Sequence, residues 1–392
     1  MKVASFGRAA AILSVASLAL VACGGDNGND GEDTTTDEAT TEATDNGTEG
    51  GAEEEASGDL PSAADISGNF YGGGASSHET AMLEWISEFE GQSGGAAVEY
   101  ASVGSGNGRS GFLSGEYQFA GSDAAMDEGE YEDSTNQCGP DGAFHLPTYI
   151  APIGVAINLE GVDENVNLDA DTLGSIFSGE ITSWDDEAIA EHNPDLDLPS
   201  TNITVVHRQD TSGTTENFTE YLAAASSTWE WDADGEWPSE ATAESAEGTG
   251  GVIGLASEID GAITYADAGR IDDNFVTVNV EVGGDYTEIS SEAAAAVVSA
   301  SEPAGGGAPN DMAFEIARDT EEAGTYPIIQ IAYTIWCNEY PSQDDADFAQ
   351  AFAAYIVSEE AQQLAADVAG SAPISEELRE EALEAIGQIS AG

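Results

Sequence analysis

The chain is short of positive charge. Seven of its 392 residues are lysine or arginine, against 76 aspartates and glutamates. Lys2 and Arg8 lie at the extreme N-terminus, so the remainder carries five arginines and no lysine. Arg109, Arg208, Arg270, Arg318 and Arg379 then face all 76 acids, a formal balance of −71. That balance excludes nucleic acids and anionic membrane surfaces as partners. Hydrophobic residues make up 41%, enough for globular cores and too few for a polytopic membrane protein. Cysteine is scarce too, and the three present match no zinc spacing. The four histidines (His78, His145, His192 and His207) are scattered along the chain. Neither a metal centre nor a cofactor is expected.

The N-terminus has its own character. "MKVASFGR" is cationic, "AAAILSVASLALVA" is apolar, and "LVAC" ends the run at Cys23. This reads as a secretory signal over 1–22 with a lipobox-like site, which makes Cys23 a lipidated new N-terminus. A signal cleaved nearby, with Cys23 incidental, is the plainer alternative. The apolar run is too short to span a bilayer comfortably. Residues 23–64 are rich in Gly, Thr, Asp and Glu and offer no core, so they are expected to form a disordered acidic tether. With Cys23 modified, Cys138 and Cys337 remain as an even pair in an oxidising compartment, which favours a disulfide.

From about Ile66 a pattern of strand, small-residue turn and helix repeats, which implies an α/β fold with a mostly parallel sheet. Met82, Leu83, Ile86 and Phe89 fall at helical spacing, with Ser76 or Ser77 as the expected cap. Phe218, Tyr221 and Leu222 mark the buried face of a second helix. "DADFAQAFAAYIVSEEAQQLAADVAG" reads as one amphipathic helix near the C-terminus. Two long apolar stretches, "FHLPTYIAPIGVAINL" and "YPIIQIAYTIWCNE", are expected to cross between two lobes. The lobes would comprise 65–148 with 330–392, and 149–329.

Three turns share one design: "GGGASS" (72–77), "VGSGNG" (103–108) and "DTSGTT" (210–215). Each places small residues between a strand and a following helix, where backbone N–H groups and hydroxyls bind anions without net charge. One such turn alone is ordinarily a capped helix. Arg208 stands just ahead of the third turn, and its planar fork suits an oxyanion. A surface salt bridge is the plain alternative for any arginine among so many acids.

These turns, with "FAGSDAAM", "GAITYAD" and the run from "GSIFSGEITSW" to "VVHRQDTSGTTENFTEYL", resemble the periplasmic phosphate-binding proteins of bacterial phosphate ABC transporters. The likeness covers roughly 66–375 and implies a two-lobed, hinged, type II-like binding-protein fold with one phosphate between the lobes. Carried over, it puts Ser76, Ser77, Ser105, Asp123, Arg208, Ser212, Gly213 and Thr214 on the phosphate, with Asp210 holding Arg208. It also implies delivery to a membrane permease and no catalysis. The family's usual Thr-Phe-Pro is Ser76-Ser77-His78 here; a surface position is expected for His78, with an approach to the ligand as the alternative. The alternatives are a receptor for another oxyanion such as sulfate, a phosphate sensor with no permease, and a phosphate-ester hydrolase. His207, Asp210 and Ser212 suggest a triad, but strand alternation turns His207 away from Arg208.

So acidic a fold is expected to lean on salt, although lineage bias in composition is a weaker alternative. Screening length falls from about 10 Å at 0.1 M salt to about 3 Å at 1 M, removing most self-repulsion. The thermal midpoint should therefore rise steadily across a salt series. A midpoint independent of salt would contradict this.

Overall fold

Small residues and β-formers alternate with helix formers along the chain, and the elements follow that order. In this computed structural model, which describes residues 60–392, β1 (Gly68–Gly74), α1 (Glu79–Gln92), β2 (Ala96–Ser102), α2 (Ser105–Leu113), β3 (Phe119–Ser122) and α3 (Glu128–Ser134) come first. The long β4 (Ala143–Asn158) follows, then β5 (Val166–Leu168), α4 (Ala170–Phe177) and α5 (Glu187–His192). Next come β6 (Thr204–Arg208), α6 (Gly213–Ala225), β7 (Glu244–Ala246), α7 (Gly248–Ser257) and β8 (Ala262–Asp267). The hairpin β9 (Val276–Val282) and β10 (Asp285–Thr287), α8 (Ser291–Ser299) and the short pair β11 (Glu302–Pro303) and β12 (Phe314–Glu315) lead to β13 (Ile329–Cys337). The chain closes with β14 (Glu339–Tyr340), α9 (Gln343–Ile356), α10 (Glu359–Ala369), α11 (Glu376–Ile386) and β15 (Ser390–Ala391). The signal segment, Cys23 and nearly all of the acidic tether lie outside the described residues. Among those described, no helix is long and apolar enough to cross a membrane.

The main sheet runs β2-β1-β3-β13-β4-β8-β6-β7. Pairing is parallel within β2-β1-β3 and within β8-β6-β7. The centre differs from the sequence expectation. β13 is antiparallel to β3 and β4, and β4 is antiparallel to β8. The reason is that β4 and β13 are single crossings in opposite directions rather than parts of a repeating unit. Residues 143–152 of β4 pair with β13, and 153–158 pair with β8, so one strand serves both groups. Both strands are buried almost throughout, which accounts for their unbroken apolar runs. Pro147 is tolerated inside β4 because the register shifts there: Tyr333 pairs with Pro147 while Ala332 pairs with Tyr149.

Two helical expectations need correction. In α1 the buried face is Ala81, Met82, Trp85, Ile86 and Phe89, whereas Leu83 is 49% exposed. Trp85 takes the place expected for Leu83 because its indole N–H reaches the Ala361 carbonyl of α10 at 2.7 Å. The expected single C-terminal helix is two, α9 and α10, with Ser358 capping the second by accepting from the Ala361 N–H.

Cys138 and Cys337 are joined in a disulfide that ties the loop before β4 to the end of β13. Both cysteines are buried, and 199 residues separate them in sequence. Closing so long a loop restricts the unfolded chain, and losing such a bond typically costs about 2–5 kcal/mol. Reduction under denaturing conditions, followed by refolding in reductant, should lower the thermal midpoint by several degrees. Coincident melts, or two free thiols in peptide mapping of untreated protein, would contradict the assignment.

Candidate anion site

The small-residue turns meet, as the pattern of strand, turn and helix predicts. Each follows the end of a parallel strand: β1 before Ser76, β2 before Ser105 and β6 before Ser212. In open α/β sheets those carboxyl ends are where ligands sit. Ser76, Ser77, Ser105, Asp123, Arg208, Ser212 and Thr214 are all buried.

Asp123 is the hub. Its Oδ1 accepts from the Ser77 hydroxyl at 2.6 Å and its Oδ2 from the Thr214 hydroxyl at 3.3 Å. Its own N–H donates to Ser105 Oγ at 3.1 Å, and Asn217 donates to its carbonyl at 2.5 Å. One residue thus gathers the turns after β1, β2 and β6. Burial raises the Asp123 pKa, opposed by the Ser77 hydroxyl, the charge of Arg208, the Thr214 hydroxyl and the charge of Arg109.

Arg208 ends β6 and is held by Asp210, as the sequence reading expects. Its Nε donates to Asp210 Oδ1 at 2.8 Å, and its Nη2 donates to Asp210 Oδ2. Nη1 reaches Thr249 Oγ1 at 3.4 Å. Those contacts use three of the five guanidinium donors and leave two for a ligand. Asp210 also accepts from the Gly248 N–H at 2.9 Å, the first residue of α7. Burial works against its carboxylate, but hydrogen bonds and charge from Arg208 prevail and hold its pKa below the ordinary range. The guanidinium is therefore fixed and its charge matched in place.

Two glycines are required by close approach. A Cβ on Gly213 would stand 2.6 Å from Ser105 Oγ and 2.8 Å from Asp123 Cβ. Gly104, the residue before α2, has φ +88°, and a Cβ there would meet the Asp210 carboxylate at 2.5 Å. Ser212 caps α6, its Oγ accepting from the Thr215 N–H at 3.2 Å. Ser76 and Ser77 do not cap α1; that position is His78, and both hydroxyls turn to the site instead. Ser76 Oγ lies 3.1 Å from Thr249 Oγ1 and accepts from the Thr249 N–H at 3.2 Å.

His78 overturns the expectation of a surface position. It is fully buried, with Nδ1 3.9 Å from Asp123 Oδ1, because the turn after β1 folds it beneath the tips of β1 and β3. Sequence reasoning also missed Thr249 and Asn217. Thr249 belongs to "EGTGG" at the start of α7, a fourth small-residue turn that could have been noticed. Asn217 has no local signal; its role arises only where α6 meets Asp123. Arg109 is half of another hidden arrangement, donating to Ser122 Oγ at 3.0 Å and to Glu130 at 3.0 Å behind β3. His207 stacks on Trp237 and its Nδ1 lies 2.7 Å from the Arg208 carbonyl, turned from Asp210 and Ser212. Away from this site, Asp169, His192 and Glu281 come within 4.8 Å of one another, so one set of potential metal ligands exists where none was expected.

With this geometry the chain can be compared with known proteins. A model of the PBP superfamily domain matches residues 38–360. The phosphate-binding protein PstS 3 of Mycobacterium tuberculosis is 31% identical over 359 residues, covering 90% of either chain. PstS 2 of the same organism is 30% identical over 407 aligned positions and covers 100% of both. The chain belongs to the family of PstS phosphate-binding proteins. It is a family of solute-binding receptors rather than of enzymes. The fold is shared with a phosphate-binding protein from Stenotrophomonas maltophilia, at 19% identity and a TM-score of 0.59 over 81% of this chain and 94% of that one. It is shared equally with PfluDING, a periplasmic phosphate-binding protein solved with phosphate, at 21% identity and a TM-score of 0.62 over 81% and 92%. The chain therefore has the two-lobed α/β fold of periplasmic binding proteins.

Gly213→Ala should prise the turns apart, since overpacking against backbone forces a shift. The expected outcome is faster hydrogen exchange at the Asp123 amide, which donates to Ser105 beside Gly213, with helix content unchanged. Unaltered exchange would show that the approach at Gly213 is not tight.

Proposed function

We propose that this chain is a receptor for inorganic phosphate, burying one anion among Ser76, Ser77, Ser105, Asp123, Arg208, Ser212, Gly213 and Thr214. It passes that anion to the permease of a phosphate ABC transporter. One observation carries the reading: a buried guanidinium, already matched by Asp210, shares its site with a second buried carboxylate, Asp123. A fully ionised anion would be repelled there. An anion that still carries a proton can donate it to the carboxylate, which is acceptor-only when ionised.

The lobes would be 65–148 with 330–392, and 149–329, joined through β4 and β13 and closing on the ligand. Ligand then stabilises the closed state by its differential affinity for it. A micromolar site needs only about 8 kcal/mol, which charge-assisted and neutral hydrogen bonds in a dry cleft supply. Export with a lipid on Cys23, and an acidic tether of about 40 residues, would hold the receptor near its permease on the outer face of the membrane. The protein performs no chemistry in this reading. The position of His207 supports that, since its ring stacks on Trp237 and its Nδ1 meets the Arg208 carbonyl rather than Ser212.

Titration calorimetry in high salt with phosphate and sulfate tests the proposal. Wild-type protein should bind one phosphate per chain and discriminate against sulfate by at least about tenfold, because an unpaired buried acceptor costs about 1–3 kcal/mol. Asp123→Asn should lose that selectivity. An equal phosphate-to-sulfate ratio in wild type and variant would remove Asp123 from the reading of the ligand's proton, and no binding of phosphate at all would defeat the proposal.

A further inference from the structure

Of the buried side-chain polar atoms without a partner among the described residues, Nδ1 of His78 is the one beside the anion site. Hydrogen-bond bookkeeping fixes its chemical state. The Tyr100 hydroxyl lies 2.9 Å from the Ala75 carbonyl, which can only accept, so the single phenolic proton is committed there. His78 Nε2 lies 3.4 Å from that same hydroxyl oxygen. It can interact favourably only by donating, so Nε2 carries the ring proton. Nδ1 is then a bare lone pair, 3.9 Å from Asp123 Oδ1, with no proton between the two acceptors. The separation exceeds a hydrogen bond by about 1 Å, so the carboxyl group must turn towards His78 for a proton to be held between them. Burial lowers the His78 pKa to about 4, so without a counter-charge the ring is neutral.

The groups around His78 are Asp123 beyond β3, Tyr100 from β2 and Tyr149 from β4, with both tyrosine rings centred 6.0 Å away. Glu79 follows His78 on its own helix, and Asp267 accepts from Tyr149 at 3.2 Å. Arg208 and Arg109 act on Asp123 by their charge. Arg208 is matched by Asp210, so Asp123, when ionised, brings a negative charge of its own to the site. An arriving anion adds to it. A proton held at His78 would relieve that repulsion while leaving Asp123 Oδ2 available to the ligand. Water can reach Asp123 from a cavity of about 610 Å³ that the residue borders on the α6 side.

We propose that His78 and Asp123 jointly take up one proton from solvent when the anion binds, holding it between Nδ1 and Oδ1. No other bond changes, and His78 thereby acts as a positioning residue that sets the charge of the site. The inference rests on the phosphate reading of the same site.

Calorimetric titration of the full chain with inorganic phosphate, in mildly alkaline buffers of different ionisation enthalpy, counts the protons taken up. Wild type should take up about one more proton per phosphate than His78→Gln, whose amide keeps a donor for Tyr100 and removes the Nδ1 lone pair. Phosphate binding with equal proton uptake in both proteins overturns the inference and leaves the phosphate reading standing. Absence of phosphate binding in wild type overturns both. Nitrogen NMR of the His78 ring in wild type provides a second test that needs no variant. It should show Nε2–H with bare Nδ1 in free protein, and movement of the Nδ1 resonance towards the protonated position when phosphate is added. An Nδ1–H tautomer in the free protein, or an Nδ1 signal indifferent to phosphate, overturns the proposal.

Discussion

The fork of Arg208 on Asp210 is the constraint on which the rest of the site depends. In a chain with 76 acids, a lone buried guanidinium would be open to capture by any mobile carboxylate. Asp210 settles the matter locally, two residues along the same turn, and is itself fixed by the Gly248 N–H of α7. The pair brings no net charge into the cleft, yet it leaves guanidinium donors directed and rigid. In the proposed reading, what attracts an anion is then mostly backbone. The first turns of α1, α2, α6 and α7 supply partial positive charge that costs the composition nothing. This explains how a chain with no lysine beyond Lys2 can still receive anions. Its surface can be strongly acidic, because the site does not draw on surface charge.

Asp123 needs the opposite treatment. It is a buried carboxylate that accepts from neutral hydroxyls on two turns, Ser77 and Thr214, and burial favours its protonated form. Two carboxylates in one small site therefore have divergent tendencies. Asp210 is held ionised by its arginine, and Asp123 is poised to share a proton. Such divergence set by environment is a recurring mark of functional sites. In the proposed reading it serves discrimination between anions. The crossing strands make the arrangement possible, since β4 and β13 are the covalent links between the strand groups that carry Asp123 and Arg208.

Much of this was legible in the chain itself, for a physical reason. Ser105, Arg208, Ser212, Gly213 and Thr214 lie at turns joining a strand to its own helix, so short-range sequence locates them. The long apolar runs announced β4 and β13 because strands buried on both faces lose alternation. What stayed hidden depends on contacts between distant segments. Thr249 matters because Ser76 reaches it from 173 residues away, and Asn217 because α6 abuts Asp123. His78 was expected at the surface, with an approach to the ligand as the alternative, because nothing in its local sequence explains it. Its burial follows from how β1 and β3 meet. The break between α9 and α10 was masked by an apolar pattern that continues through Ser358.

Anomalous diffraction from crystals soaked in arsenate, a heavier tetrahedral oxyanion that also retains a proton near neutral pH, locates the bound anion directly. The account expects one strong arsenic peak per chain, with its oxygens within hydrogen-bonding distance of Arg208, the N-terminus of α6 and the Asp123 carboxyl group. A peak elsewhere, or one at this site with Asp123 turned away from the anion, would contradict it.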